Sequence, residues 1–387
     1  MRIIKVFLIL FFIAFICLAY IQYLFPIIKV QSVNENRAKV EWPHDNPWVG
    51  LISGANYATK IEQFFSDHFP LRDFMLRGLG QFEYSALGRS REVIVGKDGW
   101  LSDKKVLSEQ LHQLDLVNDE QIKSSIIQLK RLQYWLQGKG IYFLVVIVPM
   151  KPTVYKEKFP EKLVQRPEQT GLLRFQTEMK TNHIPFIDVL SILNHHKSEV
   201  ALYYKTDMHW NTSGTSYVAE AIVNHLSLTI LGKHIWKEEI IKSDQQFSGG
   251  ELTTMPLLFP KPEVTPTWAS ANPKYQMKTI GAGPTAIEVY AGTDKARAVL
   301  PPSIMFGNSF MLQYPTVGYH NYFNESTRVL DYQYFSNALS YIKPKHKIFI
   351  LHLYETQLLF HILPPDSFSY WDKRIQSLPL PPHFIYK

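Results

Sequence analysis

An uninterrupted apolar run at residues 141–148, IYFLVVIV, constrains the fold of this chain more than any other feature. A strand with one face in water alternates apolar and polar residues, whereas an unbroken apolar run is typical of a strand buried on both faces of a parallel sheet. Helices are predicted at residues 119–138 and 168–181, and further strands at residues 184–189, 303–306 and 347–353. Helix followed by strand, repeated along the chain, predicts an α/β fold with a doubly wound parallel sheet.

Two other regions complete the predicted organisation of the folded part. Residues 61–87 have apolar residues at helical spacing, with a break expected at Pro70. Residues 245–302 hold eight prolines and two alternating stretches, at 274–280 and 286–290. We interpret this region as a β-rich insertion into one large domain that spans residues 61–387.

The N-terminus carries a second long apolar run, at residues 6–28, which only Gln22 and Pro26 interrupt. A helix of that length reaches across a hydrocarbon core of about 30 Å. No small-x-small cleavage pattern follows the run, so we expect a transmembrane signal anchor at residues 1–28, with a cleaved signal peptide as the alternative. Residues 29–60 are polar and read as a stalk that leads to the folded domain.

Composition excludes several classes of protein and site. The single cysteine, Cys17, lies inside the apolar run, which rules out a disulfide scaffold or a thiolate zinc cage. The 41 Lys and Arg against 34 Asp and Glu suit an acidic polymer or a membrane surface. No dense basic run is visible, so nucleic acid is not an expected partner. No His, Asp or Glu spacing matches a recognised metal site, and we predict neither a metal nor a cofactor.

Two segments carry residues suited to nucleophilic catalysis. Gly307, Asn308 and Ser309 directly follow a short apolar strand, where reactive groups collect in open α/β sheets. Asp207 and His209 are two residues apart, so an extended backbone would let the carboxylate orient the imidazole. Together Ser309, His209 and Asp207 supply the nucleophile, base and orienting group of acyl transfer through a covalent intermediate.

Three further groups are candidates for contact with the reacting molecule. The backbone N–H of Ser309 is the first candidate for stabilising an oxyanion, and Asn308 is a second one. Lys151 follows Pro149 at the end of the buried strand, where it reaches the substrate, is solvated or anchors a loop.

Five short segments, in their order and spacing, resemble the alginate O-acetyltransferase family. They are residues 65–72 (FSDHFPLR), 95–101 (VGKDGWL), 148–155 (VPMKPTVY), 206–214 (TDMHWNTSG) and 307–310 (GNSF). The resemblance implies an SGNH-hydrolase-like fold over residues 61–387, with Asp207, His209 and Ser309 as the triad. Asn308 departs from the Gly-Asp-Ser sequence that SGNH enzymes often carry, which leaves the nucleophile in place but alters its surroundings.

The resemblance also implies a function, a location and a partner. The expected activity is O-acetylation of an exported or cell-surface polysaccharide, by a periplasmic domain held at the inner membrane by a single-pass helix. The expected acetyl donor is a membrane-bound O-acyltransferase partner. Two alternatives remain open: a carbohydrate O-acetylesterase with the same triad, and a non-catalytic polysaccharide-binding scaffold of an export complex.

Overall fold

The structure, a computed structural model, describes residues 2–30, 38–43, 56–254, 256–281, 286–331 and 335–362. The predicted stalk at residues 29–60 therefore lies largely outside the described residues. The chain divides into two compact units: Met1–Val93 with Gly249–Lys261, and Ile94–Ser248 with Pro262–Lys387.

The smaller unit begins with helix α1, Arg2–Leu24. Its segment Ile3–Leu24 is long and apolar enough to cross a membrane, with a mean hydropathy of 2.8 and only 6% of its most apolar window buried. The helix ends just before Pro26, which cannot donate the next helical hydrogen bond. The Gln22 side chain bonds both main-chain groups of Ile28 at 2.8 Å, so the chain beyond the helix end turns back on the last turn.

Two helices follow in the same unit, α2 (Asn56–His68) and α3 (Arg72–Leu87). The interruption between them confirms the break expected at Pro70. Arg77 of α3 is 4% exposed and donates to the carbonyl oxygens of Thr254 and, at 3.0 Å, Leu257. These bonds connect the distant segment Gly249–Lys261 to the helices of this unit.

The larger unit is built on a seven-stranded sheet with the order β4-β3-β11-β9-β10-β8-β7. Two further pairs, β1–β2 and β5–β6, form separate two-stranded sheets. The strands are β1 Val93–Val95, β2 Leu101–Asp103, β3 Tyr142–Val148, β4 Phe186–Ile187, β5 Ile240–Phe247, β6 Glu263–Ser270, β7 Tyr275–Ile280, β8 Ile287–Gly292, β9 Ser303–Gly307, β10 Glu325–Leu330 and β11 Ile348–Tyr354.

The sheet is parallel where the sequence predicts it and antiparallel at one end. Strands β4, β3, β11, β9 and β10 run parallel, whereas β8 pairs antiparallel with both β10 and β7. The two alternating stretches of the predicted insertion are β7 and β8, and they extend the main sheet. The predicted α/β fold is confirmed, with a mixed rather than wholly parallel sheet.

Helices cover both faces of the parallel part. The α-helices that the structure describes in this unit are α4 Leu111–Leu116, α5 Asp119–Gln137, α6 Lys151–Val154, α7 Glu161–Val164, α8 Gly171–Thr181, α9 Val189–His196 and α10 Thr212–Leu231. Even-numbered residues of β3 pack in one core cluster with α9 and α10, and odd-numbered ones pack in another with α5 and α8. Burial on both faces explains why the β3 sequence is apolar throughout.

The carboxyl ends of three neighbouring strands bring distant segments to one edge of this sheet. β3 leads to Lys151, β9 leads to Ser309, and β11 leads to Glu355. Because parallel strands end at the same edge, residues far apart in sequence lie side by side there.

Candidate active site

Ser309 is the first residue of a 3-10 helix, Ser309–Gln313, that follows β9. Gly307, the last residue of β9, lies so close to β11 that a Cβ there would be 2.0 Å from the carbonyl oxygen of His352. Glycine is therefore required for the close approach of two strands and not for an unusual backbone angle. This approach fixes where the chain leaves the sheet and hence where the hydroxyl lies.

Asn308 is buried and faces the interior of the domain. Its amide donates to the carbonyl oxygen of His352 at 3.2 Å and to Oε1 of Gln357 at 2.7 Å. Its Oδ1 accepts the backbone N–H of Phe310 at 3.0 Å, which caps the 3-10 helix. The amide that was predicted to face an oxyanion is thus engaged with β11 and the segment after it.

Asp207 and His209 lie in a loop without helix or strand, between residues Tyr203 and Trp210, which form an isolated antiparallel bridge. Oδ1 of Asp207 accepts from the backbone N–H of His209 at 2.9 Å and contacts its ring Nδ1 at 2.6 Å. The pair meets because the carboxylate closes a tight turn, and not because the backbone is extended as expected.

The structure brings the three predicted triad residues into one chain of hydrogen bonds. Nε2 of His209 lies 2.7 Å from Oγ of Ser309. The two segments are also tied by Trp210, whose buried indole N–H donates to the carbonyl oxygen of Phe310 at 2.9 Å. After the loop, Asn211 caps helix α10 by accepting from the N–H groups of Ser213 and Gly214.

Lys151 does not reach the open part of the site, because its side chain is only 1% exposed. Its Nζ donates to the carbonyl oxygens of Tyr204 at 3.1 Å, Lys205 at 2.9 Å and Asp207 at 2.7 Å. Of the three alternatives for Lys151, these contacts correspond to the loop anchor and not to a solvated lysine.

Glu263, at the start of β6, is a site residue that the sequence reading missed. Its carboxylate accepts from the backbone N–H of Lys205 at 2.8 Å, and from the N–H and hydroxyl of Thr206 at 3.1 and 2.7 Å. No local signal in the sequence identifies it, because its partners lie more than fifty residues away.

A buried ion network underlies this edge of the sheet and was also missed. Arg166 makes a bidentate contact with Asp115, at 2.6 and 2.8 Å, and lies 3.0 Å from Oε1 of Glu355. Burial alone would lower the pKa of Arg166, but attraction to Glu355 and Asp115 raises it on balance. Glu355 also accepts the backbone N–H of Met150 at 2.9 Å, next to Lys151.

Asp207, His209 and Ser309 line an open pocket of about 190 Å³. Tyr204, Phe247, Leu312 and Gln313 form much of the remaining wall, and the rings of Tyr204 and Phe247 lie 4.6 Å apart. Burial, together with the charges of Asp207 and Glu263, raises the pKa of Tyr204, so its hydroxyl stays protonated. The pocket therefore offers a hydroxyl with a base beside it, an aromatic wall and access from solvent.

A hydroxyl bonded to one nitrogen of an imidazole, with a carboxylate on the other, is suited to acyl transfer. The carboxylate holds the ring in one tautomer, and Nε2 can then accept the hydroxyl proton as the oxygen attacks a carbonyl carbon. Asp207 and His209 are 16% and 21% exposed, so a small acyl group can approach them.

A group of potential metal ligands lies at the surface. One atom each from His195, His196 and Glu199 come within 4.8 Å of one another, near the end of α9. The expectation that the chain has no metal site therefore stays a prediction.

Comparison with known proteins agrees with this fold. Residues 93–275 match the family described as an SGNH hydrolase-like domain, acetyltransferase AlgX. The probable alginate O-acetylase AlgJ of Pseudomonas aeruginosa is 21% identical over 173 residues, which cover 44% of this chain and 42% of the relative. Its counterpart in Azotobacter vinelandii is 21% identical over 180 residues, covering 46% and 44%. The matches thus span less than half the length of these curated relatives.

A solved structure extends the comparison to more of the chain. The O-acetyltransferase domain of Pseudomonas putida AlgJ superposes with a TM-score of 0.50 at 16% identity, covering 73% of this chain and 97% of that domain. At this identity the likeness concerns the fold, and it agrees with the family match and with the motifs in the sequence. The family match over residues 93–275, the curated relatives and the AlgJ domain together support an AlgX/AlgJ-like acetyltransferase family for this chain.

Proposed function

We propose that this chain is an O-acetyltransferase that moves an acetyl group through Ser309 to a hydroxyl of an exported or cell-surface polysaccharide. The observation that supports this proposal most directly is the chain of hydrogen bonds from Asp207 through His209 to Ser309 beside an open pocket. The names of the relatives, alginate O-acetylases, favour a polysaccharide acceptor.

In the proposed reaction, Oγ of Ser309 attacks the carbonyl carbon of an acetyl donor while Nε2 of His209 takes the hydroxyl proton. The negative oxygen that forms is stabilised by the backbone N–H of Ser309, because Asn308 already occupies the N–H of Phe310. Collapse of this intermediate releases the protonated donor group and leaves acetyl-Ser309. A sugar hydroxyl then gives its proton to His209, attacks the acetyl carbon and regenerates Ser309.

The proposed location follows from α1 and from the expected substrate. We propose that α1 holds the chain at the inner membrane, with the larger unit in the periplasm where exported polymer passes. A membrane-bound O-acyltransferase is the proposed source of the acetyl group. Neither a metal nor a cofactor is required by this scheme.

The test uses the full chain in detergent, an activated acetyl ester and peptide mapping by mass spectrometry. We expect an acetyl adduct on Ser309 that is absent from Ser309→Ala. Ser326 is an internal control, because it also contacts an imidazole, that of His320 at 2.5 Å, but both side chains are buried. No adduct on Ser309 in a folded protein would contradict the proposal and favour a polysaccharide-binding scaffold.

An acceptor oligosaccharide distinguishes transfer from hydrolysis. The triad is open to solvent, so water could also take the acetyl group, as in an O-acetylesterase. Acetylated oligosaccharide as the main product supports a transferase. Release of acetate alone, with the acceptor unmodified, supports the esterase.

A further inference from the structure

The loop that carries Asp207 and His209 has no regular secondary structure to satisfy its own main chain. Residues 204–209 lie in neither helix nor strand. Main-chain N–H and C=O groups in such a loop need partners from elsewhere in the fold when water cannot reach them. The loop must nevertheless hold His209 within 2.7 Å of a residue 100 positions away.

Lys151 satisfies three carbonyl oxygens of this loop. Its ammonium group reaches all three, including that of Asp207 itself at 2.7 Å. The backbone N–H of Leu101 at the start of β2 also donates to one of the three, that of Lys205, at 2.9 Å. A buried charge is costly without such partners, so the loop and the ammonium group stabilise each other.

Glu263 satisfies N–H groups of the same loop. Its carboxylate accepts from the main chain of Lys205 and Thr206 and from the Thr206 hydroxyl. Lys151 begins helix α6 after β3, whereas Glu263 begins β6, so the two charges come from separate elements. The ammonium group of Lys151 donates to carbonyl oxygens of the loop, and the carboxylate of Glu263 accepts from its N–H groups. These bonds restrain the loop against movement in more than one direction.

We propose that Lys151 and Glu263 are positioning residues that hold His209 at hydrogen-bonding distance from Ser309. This inference rests on the proposed function, in which His209 is the base. Neither residue is among those that line the pocket, so neither contacts the acyl group there. Their loss is therefore expected to slow the reaction of Ser309 while leaving substrate affinity nearly unchanged.

The test compares Lys151→Met and Glu263→Gln with a matched control, Lys130→Met, in the full chain in detergent. Lys130, which is less buried than Lys151, likewise donates to loop carbonyls, those of Asn182 and His183 at 2.8 and 3.5 Å, but it serves a different loop. The probe is phenylmethanesulfonyl fluoride. Oγ of Ser309 bonds to sulfur, fluoride leaves, and His209 accepts the hydroxyl proton.

Sulfonylation of Ser309, followed by intact mass, is expected to slow by about 100-fold in Lys151→Met, as misplacement of a base by about 1 Å does elsewhere. Glu263→Gln, which keeps an acceptor but loses the charge, is expected to show a smaller loss of about 10-fold. Lys130→Met should stay within about twofold of the wild type. Lys151→Arg retains the charge, and we expect it to recover part of the rate.

A second readout is independent of reactivity at Ser309. The proton between Nδ1 of His209 and Asp207 should give a far-downfield proton resonance in the wild type and in Lys130→Met. We expect it to shift or broaden in Lys151→Met and in Glu263→Gln. Circular dichroism checks that each variant is folded, and if Lys151→Met is not, Glu263→Gln and Lys151→Arg provide the test.

The outcomes separate this inference from the proposed function. If the variants at 151 and 263 fold and both the labelling rate and the resonance are unchanged, the positioning role is wrong. If the wild type is labelled but transfers no acetyl group, the proposed function fails while the labelling ratios still decide the positioning role. If Ser309 is not labelled at all, the resonance alone decides it.

Discussion

The indole N–H of Trp210 donates to the carbonyl oxygen of Phe310 at 2.9 Å, and so joins the residues that follow His209 and Ser309. Two segments 100 positions apart are thereby held together by this bond as well as by the one between His209 and Ser309. The bond is buried, so water cannot replace it.

Trp210→Phe should weaken both the fold and the site. The substitution leaves the Phe310 carbonyl without its buried donor, which typically costs about 1–3 kcal/mol. We expect a lower urea midpoint and slower sulfonylation of Ser309. Trp236→Phe, at a partly buried indole stacked on Tyr322, is the control and should leave the labelling rate unchanged. Equal labelling rates for Trp210→Phe and the wild type would contradict this role.

Gly307→Ala should destabilise the domain because the new methyl group meets the main chain of β11. Its Cβ would lie 2.0 Å from the carbonyl oxygen of His352, and overpacking of this kind costs about 1–3 kcal/mol or more. Thermal unfolding measures the effect. Gly138→Ala is the matched control, because that glycine has an ordinary helical φ of −60° and its nearest neighbour would be 3.5 Å away. Similar melting temperatures for the two variants would rule out the close approach.

Arg166→Met should be among the most destabilising single changes at this edge of the sheet. It leaves the carboxylates of Asp115 and Glu355, which are 5% and 0% exposed, without their cation. Breaking a buried ion pair from one side costs about 3–5 kcal/mol. Arg91→Met removes an arginine that is 67% exposed and should cost no more than about 1 kcal/mol. Equal losses of unfolding free energy for the two variants, measured in guanidinium chloride, would show that the buried network stabilises the fold no more than a surface ion pair does.

Stability should fall with acidification, in part because of His352. Complete burial lowers the pKa of His352 from 6.5 to about 3 in the folded protein. Below pH 6.5 the imidazole of His352 therefore binds a proton in the unfolded chain but not in the folded one. The free energy of unfolding then decreases as the pH drops from 6.5 toward 3.

One such group contributes at most about 1.4 kcal/mol for each pH unit within that window. Unfolding free energies of the wild type and His352→Gln between pH 7 and 5 check the prediction, and the variant should show the shallower decline. Parallel curves would exclude His352 as a source of acid sensitivity.

The strands buried on both faces were the most predictable part of this fold. Residues 141–148 have no polar position, and they form β3 with only a one-residue difference at the start. Strand β10 was missed because it reads ESTRVL, a sequence whose polar residues suggest exposure. In the structure Arg328 of that strand is buried and paired with Glu288 of β8, and only the folded sheet reveals the pair.

At the site, side-chain chemistry was more predictable than its support. Asp207, His209 and Ser309 could be selected because acyl transfer needs those groups, and His209 lies within hydrogen-bonding distance of both other residues. The contacts of Lys151 and Glu263 depend on loop carbonyls and N–H groups, which carry no residue-specific signal. Asn308 was a candidate oxyanion donor, and in the structure its amide donates to two acceptors, the carbonyl oxygen of His352 and Oε1 of Gln357.

The main chain of Phe310 has a consequence for the geometry of an acyl intermediate. Its N–H is taken by Asn308 and its carbonyl by Trp210. A tetrahedral alkoxide at Ser309 would thus find the backbone N–H of Ser309 beside it, and side chains of the pocket wall are candidates for a second donor. Tyr204 and Gln313 carry hydrogens suited to that purpose on rotatable bonds. One of the two donors to the oxyanion would then be adjustable in position, and binding of the acyl group would itself bring that donor into place.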